Sequence, residues 1–296
     1  MMRVAAWQYP IERHASFAAW AAKIDGAVAD AARREASLLV APEYAAMELT
    51  ALLAPDEQAT LQTQIAALQR LLPDHDAVYR EAATRHGVAI VAGSFPVRAA
   101  DGRYHNRALV IGPSGATAAV EKLQMTRFEH ELWGIAAGRG QVIVELGDLR
   151  LGVAICYDAE FPLLVRRLAA AGANAIAVPS CTDGLAGYHR VRIAAQARAL
   201  ENQCYVVQAP TVGLAPWSIA LDENVGAAGV FTPADRGFPD DGILTLGPLN
   251  APHLLVADLD LPRVDAVRAD GQVLGHRDWD APAHVADAAV DQIRIG

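Results

Sequence analysis

Several features that would mark a large class of protein are missing from this sequence of 296 residues. No apolar run approaches the roughly 20 residues that a membrane-spanning helix needs. The opening segment 1–14 carries Trp7, Gln8 and Glu12 where a signal peptide has an uninterrupted apolar core. No stretch is rich in basic residues, and the net charge is -9. We therefore do not expect a membrane, exported or nucleic-acid-binding protein.

Cysteine is scarce as well. The three cysteines, Cys156, Cys181 and Cys204, are an odd number at wide spacing, which does not predict a disulfide framework. The sequence has no CxxC pair and no HExxH motif, so it shows no recognisable set of metal ligands. We expect a globular, cytoplasmic protein without a metal or another cofactor. A composition with 53% hydrophobic and 20% charged residues fits such a protein.

Lysine is the scarcest charged residue, because only Lys23 and Lys122 stand against twenty-three arginines. A genome rich in G and C favours arginine codons and explains most of this imbalance. Under that bias a retained lysine is informative, since a guanidinium cannot imitate its compact ammonium. The two lysines are therefore candidates for a specific role.

Short apolar runs alternate with amphipathic stretches along the chain. Predicted strands cover 3–7, 38–41, 88–92, 105–111, 116–121, 142–146, 149–155, 175–178 and 204–208. Predicted helices cover 15–34, 56–86 with an interruption at Pro73, 161–171 and 188–202. This order predicts an α/β fold with helices covering the sheet faces. Without a repeat or linker, residues 1–268 are expected to form a single domain, and the polar tail 269–296 is a candidate for packing on a neighbouring subunit.

A carboxylate follows one predicted strand directly. The apolar run 38–41 leads through Pro42 into Glu43. In open α/β sheets ligands bind beyond the carboxyl ends of strands, where a buried glutamate acts as a general base with a raised pKa. The alternative is a solvated glutamate at the start of a helix.

A lysine and a cysteine occupy similar places. Lys122 follows the strand 116–121, where a fixed cation lowers a thiol pKa and stabilises an oxyanion. Cys156 follows the strand 149–155, just before a predicted helix whose N-terminal amides favour a thiolate. The alternatives are a surface lysine with a half-buried stem and a buried structural cysteine.

Together these segments resemble the nitrilase, or carbon–nitrogen hydrolase, superfamily from Arg3 to about Asp260. The matching motifs are PEY at 42–44, EKLQMTRFE at 121–129, GVAICYDAEFP at 152–162, PSCTDG at 179–184 and RVRIAAQARALENQCYVV at 190–207. The resemblance implies a four-layer α-β-β-α sandwich of the nitrilase type. It also implies Glu43 as general base, Lys122 as oxyanion stabiliser and Cys156 as nucleophile.

The mechanism that these roles suggest adds one expectation, and the resemblance itself implies two further features. The backbone N–H of Tyr157 is the expected second oxyanion donor. A second glutamate should follow the lysine; Glu131 is the predicted residue, because it precedes Ala136-Ala137-Gly138 at the interval typical of the family, and Glu129 is the alternative. Members commonly pair through the helices beside the cysteine, so a homodimer or a higher homo-oligomer is expected.

The pocket itself is less well defined by the sequence. Cys181, Tyr188, His189 and Trp133 are candidate substrate contacts, although packing or helix capping would also explain them. Cys181 replaces a small apolar residue of the family, and Glu160 stands where many amidases carry arginine. Arg107, Arg127 and Arg190 are equivalent candidates for binding a substrate carboxylate.

The motifs are most similar to those of a bacterial branch that sometimes carries an N-acetyltransferase-like domain. The first predicted strand begins at Arg3, so no such additional domain is expected here. The expected reaction is hydrolysis of a non-peptide carbon–nitrogen bond, most simply an amide giving an acid plus ammonia or an amine through a thioester. The alternatives are nitrile or N-carbamoyl hydrolysis, acyl transfer, and an interaction module without catalysis.

Overall fold

The computed structural model describes residues 1–285 and 288–295. The helices are α1 (Phe17–Arg33), α2 (Leu61–Leu68), α3 (Leu72–His86), α4 (Pro162–Ala170), α5 (Leu185–Asn202) and α6 (Leu261–Asp270). The strands are β1 (Met2–Pro10), β2 (Leu38–Ala41), β3 (Ala89–Arg98), β4 (Tyr104–Ile111), β5 (Thr117–Glu121), β6 (Ile135–Ala136), β7 (Ile143–Leu146), β8 (Leu149–Val153), β9 (Ala175–Ser180), β10 (Tyr205–Leu214), β11 (Glu223–Asn224), β12 (Gly229–Phe231), β13 (Ile243–Leu246) and β14 (His253–Leu259).

These strands form two sheets that are joined at one corner. The first has the order β5-β4-β3-β2-β1-β14, with β1, β2 and β3 parallel. The second has the order β13-β12-β10-β9-β8-β7, with β8, β9 and β10 parallel. The end of β1 connects them, because Tyr9 and Pro10 pair with Thr211 and Val212 of β10.

Alternation along the strands produces the layers. In β1, Val4 and Ala6 belong to the core shared with the second sheet, whereas Ala5 and Trp7 belong to the core under α1 and α3. Side chains of a strand point to opposite faces in turn, so one apolar run serves both cores. The outer face of the second sheet is covered by α4 and α5, whose buried apolar residues are continuous with the core between the sheets. The predicted four-layer α/β sandwich is confirmed.

Several local predictions differ from the structure, and two of them concern helices near the site or near Pro73. Pro73 does not interrupt a helix; it lies in the first turn of α3, where its missing N–H has no partner to lose. The break falls earlier, at a 3₁₀ turn over Gln69–Leu71. Helix α5 begins at Leu185, three residues before its predicted start at Tyr188.

The beginning of the predicted tail packs on this same chain. The N–H of His276 donates to Gln203 at 3.0 Å, and its carbonyl oxygen accepts from Arg166 at 2.9 Å. A 3₁₀ helix follows over Asp278–Val285. Residues 286, 287 and 296 lie outside the described residues, and the contact of this tail with a neighbouring subunit stays a prediction. Within the described part of the chain, no helix is both long enough and apolar enough to cross a bilayer.

Candidate active site

Three of the predicted site residues converge in one buried cluster. Glu43 follows β2, Lys122 follows β5, and Cys156 follows β8, so each is held at the end of a strand. Their relative exposures are 2%, 1% and 4%. The Lys122 Nζ lies 2.7 Å from Glu43 Oε1. The sequence therefore located a lysine, a carboxylate and a thiol that the fold brings together away from bulk solvent.

Unusual backbone conformations position this cluster. Cys156 has a φ of 49° and Tyr44 a φ of 54°, both in the left-handed region that non-glycine residues rarely adopt. Such conformations persist at functional sites where the surrounding structure compensates their cost. Gly93 of β3 also has a positive φ, and a Cβ there would overlap the carbonyl oxygen of Pro42. Only glycine therefore allows β3 to approach the segment that carries Glu43.

The second glutamate of the cluster is Glu129, and the prediction of Glu131 is wrong. Glu129 Oε2 lies 2.6 Å from Lys122 Nζ, and Glu129 is 2% exposed. Glu131 is exposed and forms an ion pair with Arg127 at 2.8 Å. Both belong to a π-helical turn over Glu129–Trp133, and side chains two positions apart in a helical turn face different directions.

Glu129 is saturated with hydrogen-bond donors. Besides Lys122, it accepts from Tyr44 Oη at 2.8 Å and from the backbone N–H and the hydroxyl of Thr126, each at 2.9 Å. Asn106 Nδ2 donates to Glu129 Oε1 at 3.1 Å and to Glu43 Oε1 at 2.8 Å. These donors favour the ionised form of Glu129.

Asp158 joins the lysine loop to the cysteine turn. Its carboxylate accepts from the backbone N–H groups of Leu123 at 3.1 Å and Gln124 at 2.7 Å. It also accepts from the N–H of Ile155 at 3.3 Å, immediately before the cysteine. Burial raises the pKa of Asp158 to about 6, although these donors and Lys122 oppose the shift. One side chain thus fixes the spacing between Lys122 and Cys156.

Burial and charge determine the protonation states of the three central residues. Burial raises the pKa of Glu43 to about 7; Glu129 adds to the shift and Lys122 opposes it. Burial alone would lower the pKa of Lys122, but Glu43 and Glu129 hold it well above its ordinary value. Burial, with Glu43, raises the pKa of the Cys156 thiol well above its ordinary value. These shifts favour a neutral Cys156 thiol and a protonated Lys122, beside a Glu43 carboxyl group that is partly ionised near neutral pH.

For Glu129 the balance is reversed. Burial alone would raise its pKa, but Lys122 and hydrogen bonds from Thr126 and Tyr44 hold that pKa below its usual range. The two carboxylates therefore differ in role: Glu129 stays ionised, and Glu43 is the one that can gain and lose a proton near neutrality.

The structure also places the four predicted substrate contacts. The Cys156 thiol donates to the carbonyl oxygen of Cys181 at 3.7 Å, so Cys181 borders the site. Trp133 packs its ring against Tyr44, with centroids 5.3 Å apart. Tyr188 is buried and His189 exposed, and their rings touch at 5.0 Å.

Tyr157 lies in the first turn of the 3₁₀ segment Cys156–Glu160, where backbone N–H groups have no partner within the helix. That placement is compatible with the predicted oxyanion donor, which stays a prediction. The arginines proposed as carboxylate anchors are each ion-paired within the chain: Arg107 with Glu121, Arg127 with Glu131 and Arg190 with Glu160.

Two residues of the site were missed or undervalued in the sequence. Asn106 lies on β4 in register with Ala108 and Val110, which face the core between the sheets. A polar amide on an otherwise apolar stripe was the available signal. Asp158 lies inside the cysteine motif, but its role depends on a contact with the distant lysine segment that the sequence does not show.

Comparison with known proteins agrees with this geometry. The family model described as carbon–nitrogen hydrolase matches residues 3–269. A "Probable hydrolase YhcX" of Bacillus subtilis is 31% identical over 272 residues, which are 92% of this chain and 52% of that protein. The chain thus spans about half the length of this relative. A "Deaminated glutathione amidase" of Synechocystis is 30% identical over 207 residues, covering 66% of this chain and 72% of that protein.

Comparison with solved structures also finds amidases. The amidase of Nesterenkonia sp. AN1, solved as a double mutant in complex with acrylamide, is 26% identical. It superposes with a TM-score of 0.68 over 94% of this chain and 97% of that one. Another structure of that amidase, 25% identical with a TM-score of 0.65, covers 94% of this chain and 100% of that one; in it acrylamide has added to the active-site cysteine. The chain belongs to the carbon–nitrogen hydrolase family.

Proposed function

We propose that this protein hydrolyses a carbon–nitrogen bond of a small amide, with Cys156 as nucleophile, Glu43 as general base and Lys122 as oxyanion stabiliser. One observation carries the proposal: a neutral thiol, a carboxylate with a pKa of about 7 and a buried ammonium meet at three strand ends. A base with a pKa near the working pH combines a useful unprotonated fraction with adequate basicity.

The first half of the reaction forms a thioester. Glu43 accepts the proton of the Cys156 thiol while the sulfur attacks the amide carbon, and the carbonyl oxygen becomes an oxyanion. The Lys122 ammonium and the Tyr157 N–H stabilise this charge. As the tetrahedral intermediate collapses, the carbon–nitrogen bond breaks and protonated Glu43 returns the proton to the departing amine.

The second half reverses the proton flow. Water donates a proton to Glu43 and attacks the thioester carbon, giving a second oxyanion beside Lys122. Collapse breaks the carbon–sulfur bond, releases the carboxylic acid and regenerates the Cys156 thiol with the proton from Glu43. Because both Glu43 and Lys122 serve both halves, substitution of either should slow acylation and deacylation together.

An amide is preferred over a nitrile or an N-carbamoyl group because amidases recur among the compared proteins. The Nesterenkonia protein is an amidase that binds acrylamide, and the Synechocystis relative acts on deaminated glutathione by name. Acyl transfer to an amine uses the same thioester and is the second candidate. An inert interaction module is disfavoured, since such a module would have no need to keep an ammonium and two carboxylates buried beside a thiol.

Exposed apolar side chains support a homodimer or a higher homo-oligomer. On α4 and at the start of α5, Leu163 and Leu185 are more than half exposed, and so are Ile193 and Leu200, one heptad apart on α5. Such a surface is costly in water and favours burial against a second copy. Light scattering of the protein and of an Ile193→Glu variant tests this assembly: the variant should have half the mass of the parent or less.

A reducing compartment, the cytoplasm, suits a protein whose three cysteines are all unpaired.

Turnover provides the direct test of the proposed activity. Small amides, nitriles and carbamoyl amines should be offered to the protein and to Cys156→Ala, with acid, amide and ammonia measured separately. We expect acid and ammonia from amides with the parent protein only. Equal product from Cys156→Ala would refute the proposal.

A further inference from the structure

Asn106 occupies a central place in the cluster without being one of its ionisable groups. It is 0% exposed, and its backbone carbonyl oxygen accepts from the N–H of Lys122 at 2.9 Å. Its side-chain nitrogen donates to Glu43 at 2.8 Å and to Glu129 at 3.1 Å. Asn106 therefore contacts the lysine and both carboxylates at once.

The side chain of Asn106 serves only as a donor. Its Oδ1 is buried and accepts no hydrogen bond from the described residues. A structural asparagine behaves differently: Asn174, which is 1% exposed, accepts from the N–H of Arg150 at 2.8 Å and donates to the carbonyl oxygen of Asp148 at 2.9 Å. Leaving a buried acceptor unpaired has a free-energy cost, so the orientation of Asn106 is dictated by the two carboxylates.

These two carboxylates compete for a single cation. With both ionised, Lys122 leaves the cluster with a net negative charge among side chains that are almost fully buried. Lys122 and Asn106 both donate to Glu43 Oε1, so Oε2 accepts no hydrogen bond from these two donors and stays available to accept a proton. The amide of Asn106 is the only neutral donor among the described residues that hydrogen-bonds both carboxylates.

We propose that Asn106 is a positioning residue that holds Glu43 and Glu129 together, one amide hydrogen to each, and so keeps Glu43 available as the base for Cys156. The proposal rests on the proposed function, because it takes Glu43 to be that base. Asn106 does not touch the reacting atoms in this account. It acts by stabilising the ionised form of Glu43 and by fixing the direction of its free oxygen.

The groups that share this environment come from several elements. The titratable groups that face Glu43 are Lys122, Glu129, Cys156, Cys181 and its neighbour Tyr44. Removing the Asn106 donor leaves all of them in place, so a change in the pH dependence of Cys156 reports the lost hydrogen bonds. A merely structural asparagine would alter stability without altering that dependence.

The test compares Asn106→Leu with Asn174→Leu, a matched loss of a buried amide that has no carboxylate partner. Alkylation of Cys156 by limiting iodoacetamide is followed by peptide mass spectrometry from about pH 5 to about pH 9. Losing a hydrogen bond to a charged group should move the midpoint of the alkylation rate upward by about one to two pH units in Asn106→Leu. Asn174→Leu should keep the midpoint of the parent protein.

A second variant protects the test against misfolding. Asn106→Ser keeps one donor, which can serve only one carboxylate, and should move the midpoint in the same direction but less. Thermal unfolding identifies which variants are folded, and if Asn106→Leu is not, Asn106→Ser decides. A parental midpoint in the folded Asn106 variants overturns this inference alone. The proposed function is overturned instead if the alkylation rate of Cys156 in the parent protein shows no midpoint, or if Glu43→Gln keeps the same midpoint.

Discussion

The only two lysines of the chain lie in two buried ion clusters that differ in the number of buried carboxylates. Lys122 is 1% exposed and faces Glu43 and Glu129, both buried. Lys23 lies 3.0 Å from Glu48, which is also buried, and 3.4 Å from Glu12, which is 54% exposed. Lys122 is thus paired with two buried glutamates, whereas Lys23 is paired with one buried and one exposed glutamate.

The consequences for the two ammonium groups differ in sign. Burial lowers the pKa of Lys23, and Glu48 compensates only in part. The two carboxylates of the other cluster overcome burial and raise the pKa of Lys122 well above its ordinary value. In that cluster two buried carboxylates face one cation, and burial, with Glu129 adding to the shift, raises the pKa of Glu43 to about 7.

Among the described residues, no cysteine bonds to the Lys23 cluster. Glu48 accepts from the hydroxyl of Tyr9, from the N–H of Glu12 at 3.0 Å and from His14 at 3.2 Å. The Lys23 ammonium lies 3.8 Å above the ring of Tyr9. Lys23 also donates to the carbonyl oxygen of Pro10, so this cluster ties β1, α1 and the segment after Glu43 together.

The largest expected effect is that of removing the nucleophile. Cys156→Ala should lower kcat by about 10⁴-fold or more, because no thioester can form, while the free energy of unfolding changes little. Steady-state turnover and thermal unfolding measure the two quantities. Matched Cys204→Ala, which alters a buried cysteine of the core, should keep its turnover; a comparable loss in both variants would contradict the assignment.

Replacing each lysine in turn should distinguish the roles of the two clusters. Lys122→Met should lower kcat by about 10²–10³-fold, since an oxyanion donor is lost. The residual rate should no longer follow the parental pH profile, because Glu43 loses its cation. Retention of more than a tenth of the parental kcat would show that Lys122 is not part of the reaction.

Lys23→Met should act on stability instead. Leaving Glu48 buried without its cation should cost about 3 kcal/mol in the free energy of unfolding. The kcat should stay within about threefold of the parent, because no reacting atom contacts this cluster. Urea unfolding and turnover on the same preparations test both statements. A catalytic loss as large as that of Lys122→Met would remove the distinction between the clusters.

The pH dependence gives a third contrast. Glu43 must be ionised to accept the thiol proton, and its pKa is about 7. The value of kcat/KM should therefore fall about tenfold per pH unit below 7 and level off above it. Lys23→Met should keep this profile, and Glu43→Gln should lose it. If kcat/KM of the parent protein begins to fall only near pH 4, the pKa of Glu43 is that of an ordinary exposed carboxylate.

The smallest effect is expected at the link between the lysine and cysteine segments. Asp158→Asn keeps the shape of the side chain but replaces one acceptor oxygen by a donor that would face backbone N–H groups. We expect kcat to fall about tenfold with KM nearly unchanged, because spacing rather than binding is disturbed. Asp183→Asn, on the exposed loop before α5, serves as the control and should have no effect.

Much of the fold and the three central residues followed from local patterns. Strand β2 has its predicted bounds, and β5 differs by one residue, because alternation and the flanking turn residues are contained in the segments themselves. Glu43, Lys122 and Cys156 were found because each lies within three residues of the end of a strand. Strand ends are where an α/β fold gathers its chemistry.

What failed depended on contacts between distant segments. The choice of Glu131 relied on spacing along the chain, whereas the π-helical turn directs Glu129 inward. Asn106 has its role only because β4 passes beside both carboxylates. The close approach of Gly93 to Pro42 likewise exists only in the folded sheet. Sequence order alone does not contain these neighbours.

The most direct test of the central claim compares the three cysteines at neutral pH under limiting iodoacetamide, in the parent protein, Lys122→Met, Lys23→Met and Glu43→Gln. Peptide mass spectrometry measures each alkylation rate. Cys156 should react well ahead of Cys181 and Cys204 in the parent and in Lys23→Met, and should lose this lead in the other two variants. If Cys156 reacts no faster than Cys204 in the parent, or ignores both active-site substitutions, the catalytic account is contradicted.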